Sequence, residues 1–297
     1  MLSLKKMDGA FGAFVDGIDL RKPLTEAETR QLVEGLHENR ILIVRGQEGV
    51  ESADYLRFGQ LWGEPIQFFR PDHRNQSFPE IIVIHNSPDT PEPQRDGAMQ
   101  WHADSSYELV PASVTMLLAI EAPKVGNDTL FVDMAAAWDA LPEDMKLRID
   151  KLQVLHQVSG GRNEKTFLPG EKRGRNASPH TLPDVIQPLV LAHPATGRKA
   201  LYAISGSSFG IVGMDEDAAI RLLIDLKKHA LQPQFMQRAR AEPGSIVIWD
   251  NFAVMHSATP TEYSSEEGKR RLLHRISTRG LPPVCGKPFS WPGRLAV

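Results

Sequence analysis

The chain has a single cysteine, Cys285, among its 297 residues. That excludes an internal disulfide and any zinc site built from clustered thiolates, and it fits a reducing compartment. A metal, if there is one, must be held by His, Asp or Glu. No stretch approaches the roughly 18 uninterrupted apolar residues of a membrane span. The start, Met1-Leu2-Ser3-Leu4-Lys5-Lys6, leads into no apolar signal core. A cytoplasmic protein that stays out of membranes is expected. Excess charge is missing too, with a formal net charge of −3 and a pI near 6.4. Nothing in that balance favours nucleic acid or anionic lipid, so small molecules are the expected partners. Repeats, low-complexity tracts and a dividing linker are likewise absent, and residues 1–297 read as a single domain.

What is present is a series of short strands with helices beside them. Thr25-Glu26-Ala27-Glu28 matches a capping box and predicts a helix running to about Asn39. Ser52 can cap a second helix, which Gly63 and Pro65 would end. Between them Ile41-Leu42-Ile43-Val44 is a continuous branched run, the pattern of a strand covered on both faces. Further strands are predicted at 81–84, 113–121, 129–133, 245–249, 255–257 and 272–278, with a hairpin around Thr196-Gly197. An amphipathic helix over 215–230 would bury Ala219, Leu222, Leu223 and Leu226. A helical pair around Pro142 offers Leu141, Met145, Leu147, Ile149 and Leu152 as its apolar stripe. Residues 159–182 show almost no apolar period and read as a solvated loop or a lid over a site. The expected fold class is mixed α/β with a mainly β core: a double-stranded β-helix, or jelly roll, with flanking helices.

Chemistry concentrates in two places. In Trp101-His102-Ala103-Asp104-Ser105-Ser106 an imidazole and a carboxylate stand two residues apart, so in extended chain both point to one face and could grip one ion. Alone, that pair would suit many metals. The best candidate for a third ligand is His256, after Ile246-Val247-Ile248-Trp249-Asp250-Asn251. Two histidines and one carboxylate with open positions describe a non-haem Fe(II) oxygenase site. Downstream, Arg270-Arg271-Leu272-Leu273-His274-Arg275 reads as a strand in which Arg271, Leu273 and Arg275 share one face. Two guanidinium forks facing one cavity suit carboxylates. Tyr107 lies on the same segment as His102 and could line that cavity, whereas Trp101 and Trp249 read as core. Asp250 reads either as a partner orienting a metal ligand or as a turn aspartate.

These residues, with Asn127-Asp128-Thr129-Leu130-Phe131 and Ala192-His193-Pro194, resemble the taurine dioxygenase and 2,4-dichlorophenoxyacetate dioxygenase family of Fe(II)- and 2-oxoglutarate-dependent oxygenases. The resemblance runs from about Gly9 to Gly280. It implies that His102, Asp104 and His256 bind iron and that Thr129 and Arg271 hold the distal carboxylate of 2-oxoglutarate. It also implies that Arg275 meets the anionic end of the substrate. The implied reaction uses O2, releases succinate and CO2, and hydroxylates a small organic acid such as an aryloxyalkanoate, sulfonate or alkyl sulfate, with cleavage where the hydroxyl lands beside a heteroatom. Ala98-Met99-Gln100 and Ile204-Ser205-Gly206-Ser207-Ser208-Phe209 depart from the taurine-type pattern, so Met99, Ile204 and Phe209 are expected to give a more apolar substrate pocket. His73 reads as a surface-loop histidine. Desaturation or epoxidation at the same iron, a zinc hydrolase and a non-catalytic binding jelly roll are the alternatives. A homo-oligomer is expected because closed homo-oligomers are common among soluble enzymes.

Overall fold

The computed structural model describes residues 2–90, 98–158, 162–169, 171, 182–202, 204 and 206–296. Its strands, in chain order, begin with β1 (Ser3–Lys6), β2 (Ala13–Asp16), β3 (Ile41–Val44), β4 (Glu64–Pro65) and β5 (Ile82–His85). Next come β6 (Val114–Glu121), β7 (Asp128–Asp133), β8 (Gln153–His156), β9 (Val185–Pro188), β10 (Val190–Ala192) and β11 (Lys199–Leu201). The last are β12 (Ser208–Ile211), β13 (Met236–Arg240), β14 (Ile246–Asp250), β15 (Val254–Ala258), β16 (Leu272–Arg279) and β17 (Arg294–Leu295). The helices are α1 (Glu26–Asn39), α2 (Ser52–Gln60), α3 (Met134–Asp139), α4 (Glu143–Ile149) and α5 (Glu216–Ala230).

An eight-stranded sheet runs β1-β2-β3-β14-β6-β16-β4, with β5 also paired to β16. A three-stranded sheet, β13-β7-β15, belongs to the same jelly roll, and neither sheet closes into a barrel. Period-two alternation explains how the chain serves both faces of the large sheet. On β3, Leu42 and Val44 join the core formed with α1 and α2, where Leu32, Leu36, Tyr55 and Phe58 lie. Ile41 and Ile43 join the opposite core, with Phe131 of β7 and Val254 of β15. The same split holds on β14, where Ile246 and Ile248 meet the helices while Val247 and Trp249 face the small sheet. The continuous apolar runs are therefore strands covered on both sides, as expected.

Local signals mostly act as read. Thr25 and Glu28 form the reciprocal capping box of α1. Helix α2 differs, because Ser52 is its first helical residue and Glu51 stands at the N-cap without a side-chain bond. Leu147 was expected in an apolar stripe but is 82% exposed, since the seven-residue α4 buries only Ile149. On α5 the expected apolar face is joined by a buried cation, Lys227. Of residues 159–182, expected as a loop or lid, most lie outside the described residues.

Candidate active site

His256 sits on β15 opposite Phe131 of β7. It exchanges backbone hydrogen bonds with His102, N–H to carbonyl, at 2.9 and 2.8 Å. This lone bridge fixes the two imidazoles with ring centroids 4.2 Å apart. Asp104 follows in a turn, not in a continuing strand, and Ser105 takes the left-handed backbone with φ 54°. The Asp104 N–H donates to Asn251 Oδ1 at 3.2 Å. Asn251, fully buried after β14, also accepts from Trp249 Nε1 at 3.1 Å and donates to Thr115 Oγ1 at 2.9 Å.

The three side chains meet as the sequence suggests. Asp104 Oδ1 is 3.7 Å from His102 Nε2 and its Oδ2 is 3.6 Å from His256 Nε2. One donor atom from each lies within 4.8 Å of the others, close enough for one ion. Burial opposes ionisation of Asp104, but the Arg275 guanidinium, helped by His256 and His102, outweighs it and holds the carboxyl well below its ordinary range. Burial, with His102 beside it, pushes His256 down to about 3, and burial lowers His102 also. At neutral pH the set is therefore one carboxylate and two neutral imidazoles. His102 Nδ1 faces the Gln100 carbonyl at 2.7 Å; a carbonyl can only accept, so Nδ1 carries the proton and Nε2 presents its lone pair. Asp104 Oδ2 is buried without a hydrogen-bond partner among the described residues. An anionic oxygen and an imidazole lone pair turned toward one point fit a divalent cation.

A cavity of about 220 Å³ opens at this set. Its lining includes Asn127, Thr129, Trp249 and Arg271 together with Phe68, Phe69, His73, Ile82, Tyr107 and Arg275. Arg271, Leu273 and Arg275 all line it, as their shared strand face requires. Arg271 is 6% exposed and donates to Thr261 Oγ1 at 3.0 Å. Arg275 Nη2 lies 2.7 Å from Asp104 Oδ1 and 3.1 Å from Ser277 Oγ. The Tyr107 ring packs edge-on to Phe69 at 6.2 Å.

Some expected residues are elsewhere. Ile204 is buried in the core beside α3 and α5, Phe209 is buried on β12, and neither lines the cavity. Met99 does not line it, whereas Ala98, Gln100 and His102 do. The apolar wall comes instead from Phe68 and Phe69, in a turn-rich stretch that gave no periodic signal. His73 is not a surface residue: its side chain is 11% exposed, faces the cavity, and is held below its usual pKa by burial and Arg70. Trp249 is core and lining at once.

Asp250 faces away from the set. Its Oδ2 accepts from His193 Nε2 at 3.0 Å, its Oδ1 from Phe252 N at 2.9 Å, and His37 completes a second cluster of possible ligands. His193 Nδ1 accepts from the N–H groups of Ala195 and Thr196, so the proton is on Nε2 and is donated to Asp250. With that lone pair absent, the cluster is a hydrogen-bonded pair and not an open metal site.

Comparison with known proteins agrees with this geometry. Residues 3–277 match the family described as taurine catabolism dioxygenase TauD, TfdA family. The chain is 34% identical over 280 residues to the alpha-ketoglutarate-dependent 2,4-dichlorophenoxyacetate dioxygenase of Cupriavidus pinatubonensis, covering 90% of this chain and 94% of that protein. It is 32% identical over 272 residues to the (S)-phenoxypropionate/alpha-ketoglutarate-dioxygenase of Sphingobium herbicidovorans, covering 90% and 92%. A crystal structure of a taurine dioxygenase from Burkholderia xenovorans is similar with a TM-score of 0.76 and 26% identity, covering 94% of this chain and 89% of that one.

Proposed function

The chain belongs to the taurine catabolism dioxygenase TauD, TfdA family and is an Fe(II)- and 2-oxoglutarate-dependent dioxygenase, and from that premise we propose that it hydroxylates a small aryloxyalkanoate-type organic acid. The observation that carries this reading is one cavity in which an aromatic wall, Phe68, Phe69 and Tyr107, meets a guanidinium, Arg275, beside the His102, Asp104 and His256 set. Such a cavity suits a molecule with an aryl ring at one end and a carboxylate at the other. The names of two relatives, which act on 2,4-dichlorophenoxyacetate and (S)-phenoxypropionate, support the same class.

His102, Asp104 and His256 are the proposed iron ligands, supported by their clustered donor atoms and by the tautomer of His102. Thr129 and Arg271 are proposed to hold the distal carboxylate of 2-oxoglutarate, supported by their place in the lining of the same cavity as the metal set. When bound, iron and 2-oxoglutarate supply the activation of O2, with succinate and CO2 as co-products and one oxygen atom passed to the substrate. The chain's own residues bind and orient. Arg275 is tethered by Asp104 and Ser277 through Nε and Nη2, and its fork has further N–H donors for the substrate carboxylate. Phe68, Phe69 and Tyr107 hold the ring and exclude water. A hydroxyl placed on the carbon beside the ether oxygen gives a hemiacetal, which separates into a phenol and an oxo acid.

A single catalytic domain, a cytoplasmic location and a homo-oligomeric state complete the proposal. They are supported by the shared jelly-roll core, by the reducing-compartment cysteine usage and by the frequency of closed homo-oligomers. No helix among the described residues is long and apolar enough to cross a membrane. The test is succinate release under air with Fe(II) and 2-oxoglutarate across aryloxyalkanoates, sulfonates and alkyl sulfates, with His102→Ala as the blank. Phenol should appear mole for mole with succinate. Equal release by His102→Ala would sink the iron assignment, and preference for a short alkylsulfonate would sink the substrate class.

A further inference from the structure

Lys227 stands on the buried face of α5 between Leu223 and Leu226 on one side and Ala230 on the other, only 1% exposed. A lone ammonium there would be costly, so its partners matter. Its Nζ donates to the Thr166 carbonyl at 2.9 Å and to Glu171 Oε2 at 3.0 Å. The Glu171 side chain is 6% exposed, and its other oxygen, Oε1, accepts from the Trp101 N–H at 3.0 Å. That N–H and the Gln100 carbonyl belong to one peptide group. The Gln100 carbonyl is the acceptor that fixes the His102 tautomer, at 2.7 Å from Nδ1.

We propose that Glu171 is a positioning residue for His102, acting through the peptide group between Gln100 and Trp101. A carboxylate at the N–H end of a planar amide fixes its plane and draws it into a polarised chain, which makes the carbonyl oxygen a stronger acceptor. A stronger acceptor on Nδ1–H holds the ring and raises the basicity of Nε2. Lys227 holds the carboxylate in place, with Nζ 3.0 Å from Oε2. His256 is held differently: its Nδ1 has no hydrogen-bond partner among the described residues, and its ring is packed against Phe131 and Trp249 with centroids 5.8 and 4.8 Å away. Only one of the two imidazoles thus has a polar relay behind it, and that relay reaches α5.

The inference rests on the reading of His102 as an iron ligand. The test is anaerobic titration of the full-length metal-free protein with Co(II), following its visible absorption bands, and then with Fe(II). Glu171→Gln, Lys227→Met and their double variant, a neutral pair of similar shape, are compared with wild type. Leu223→Ala, which loosens the same helix face without touching the relay, is the control for stability. Each relay variant should weaken metal binding about tenfold and alter the Co(II) bands, while Leu223→Ala lowers the melting temperature without either change. If a single variant fails to fold, the neutral double variant carries the test. Metal affinity within about twofold of wild type in the relay variants, with His102→Ala deficient, would overturn the inference. Undiminished binding by His102→Ala would overturn the iron-site reading itself.

Discussion

Arg275 Nη2 and Asp104 Oδ1 are 2.7 Å apart, so the proposed anchor for the substrate anion is ion-paired with the one carboxylate of the metal set. The pair does two jobs: it keeps Asp104 ionised despite burial, and it aims the guanidinium into the cavity. Arg275→Gln should therefore raise the KM for an anionic substrate by about 10- to 100-fold, the loss of a charge-assisted hydrogen bond. The KM for 2-oxoglutarate should change little. Steady-state succinate release with each reactant varied in turn checks this; equal effects on both constants would contradict the division of labour.

Arg271 should behave in the reverse way. Its guanidinium is buried, is steadied by Thr261, and lines the same cavity as Thr129. Arg271→Lys keeps the charge but loses the planar fork. The KM for 2-oxoglutarate should rise about tenfold or more while that for the organic acid stays near its wild-type value. Isothermal titration of 2-oxoglutarate into the anaerobic metal-loaded protein gives the same comparison without turnover.

Asn251 ties Asp104 to the large sheet. With the side chain cut back by Asn251→Ala, the Asp104 N–H and Trp249 Nε1 each lose an acceptor and Thr115 Oγ1 loses a donor, in a place water does not reach. Unsatisfied buried groups cost about 1–3 kcal/mol each, so the variant should melt several degrees lower. Asn251→Asp keeps an acceptor and should lose less. A melting temperature equal to wild type for Asn251→Ala would show that Asp104 is held by other means.

Much of this site was readable because strands repeat every two residues. Arg271, Leu273 and Arg275 fall on one face for that reason. The same rule separates Asn251, which shares the Trp249 face, from Asp250, which meets His193 and His37 instead. Other features leave no local trace. Lys227 breaks an apolar helix face only because Glu171, 56 residues away, comes to it in the fold. Phe68, Phe69 and His73 lie in a turn-rich stretch whose composition matches a surface loop, and the pairing of β4 before it and β5 after it with β16 brings that stretch to the cavity.

His37 gives a prediction about acid stability. It lies in the last turn of α1, where the helix C-terminus favours a proton, yet burial outweighs that and lowers its pKa below the usual histidine value. The charged and titratable groups facing it are Asp250 and Glu34, which favour protonation, and His193 and Lys287, which oppose it. Because the folded-state pKa is the lower one, the unfolded chain binds the extra proton between the two values. The contribution to stability is complete above about pH 6.5, the unfolded value, and is lost as pH falls below it. His37→Gln, which has nothing to protonate, should flatten the fall in melting temperature from pH 7 to pH 5 relative to wild type, roughly in proportion to the one proton removed. The variant also tests the reading of the His193–Asp250 pair. With His193 Nε2–H donated to Asp250, added Zn(II) should raise the melting temperature of wild type and His37→Gln equally. A rise that depends on His37 would instead make the second cluster a metal site.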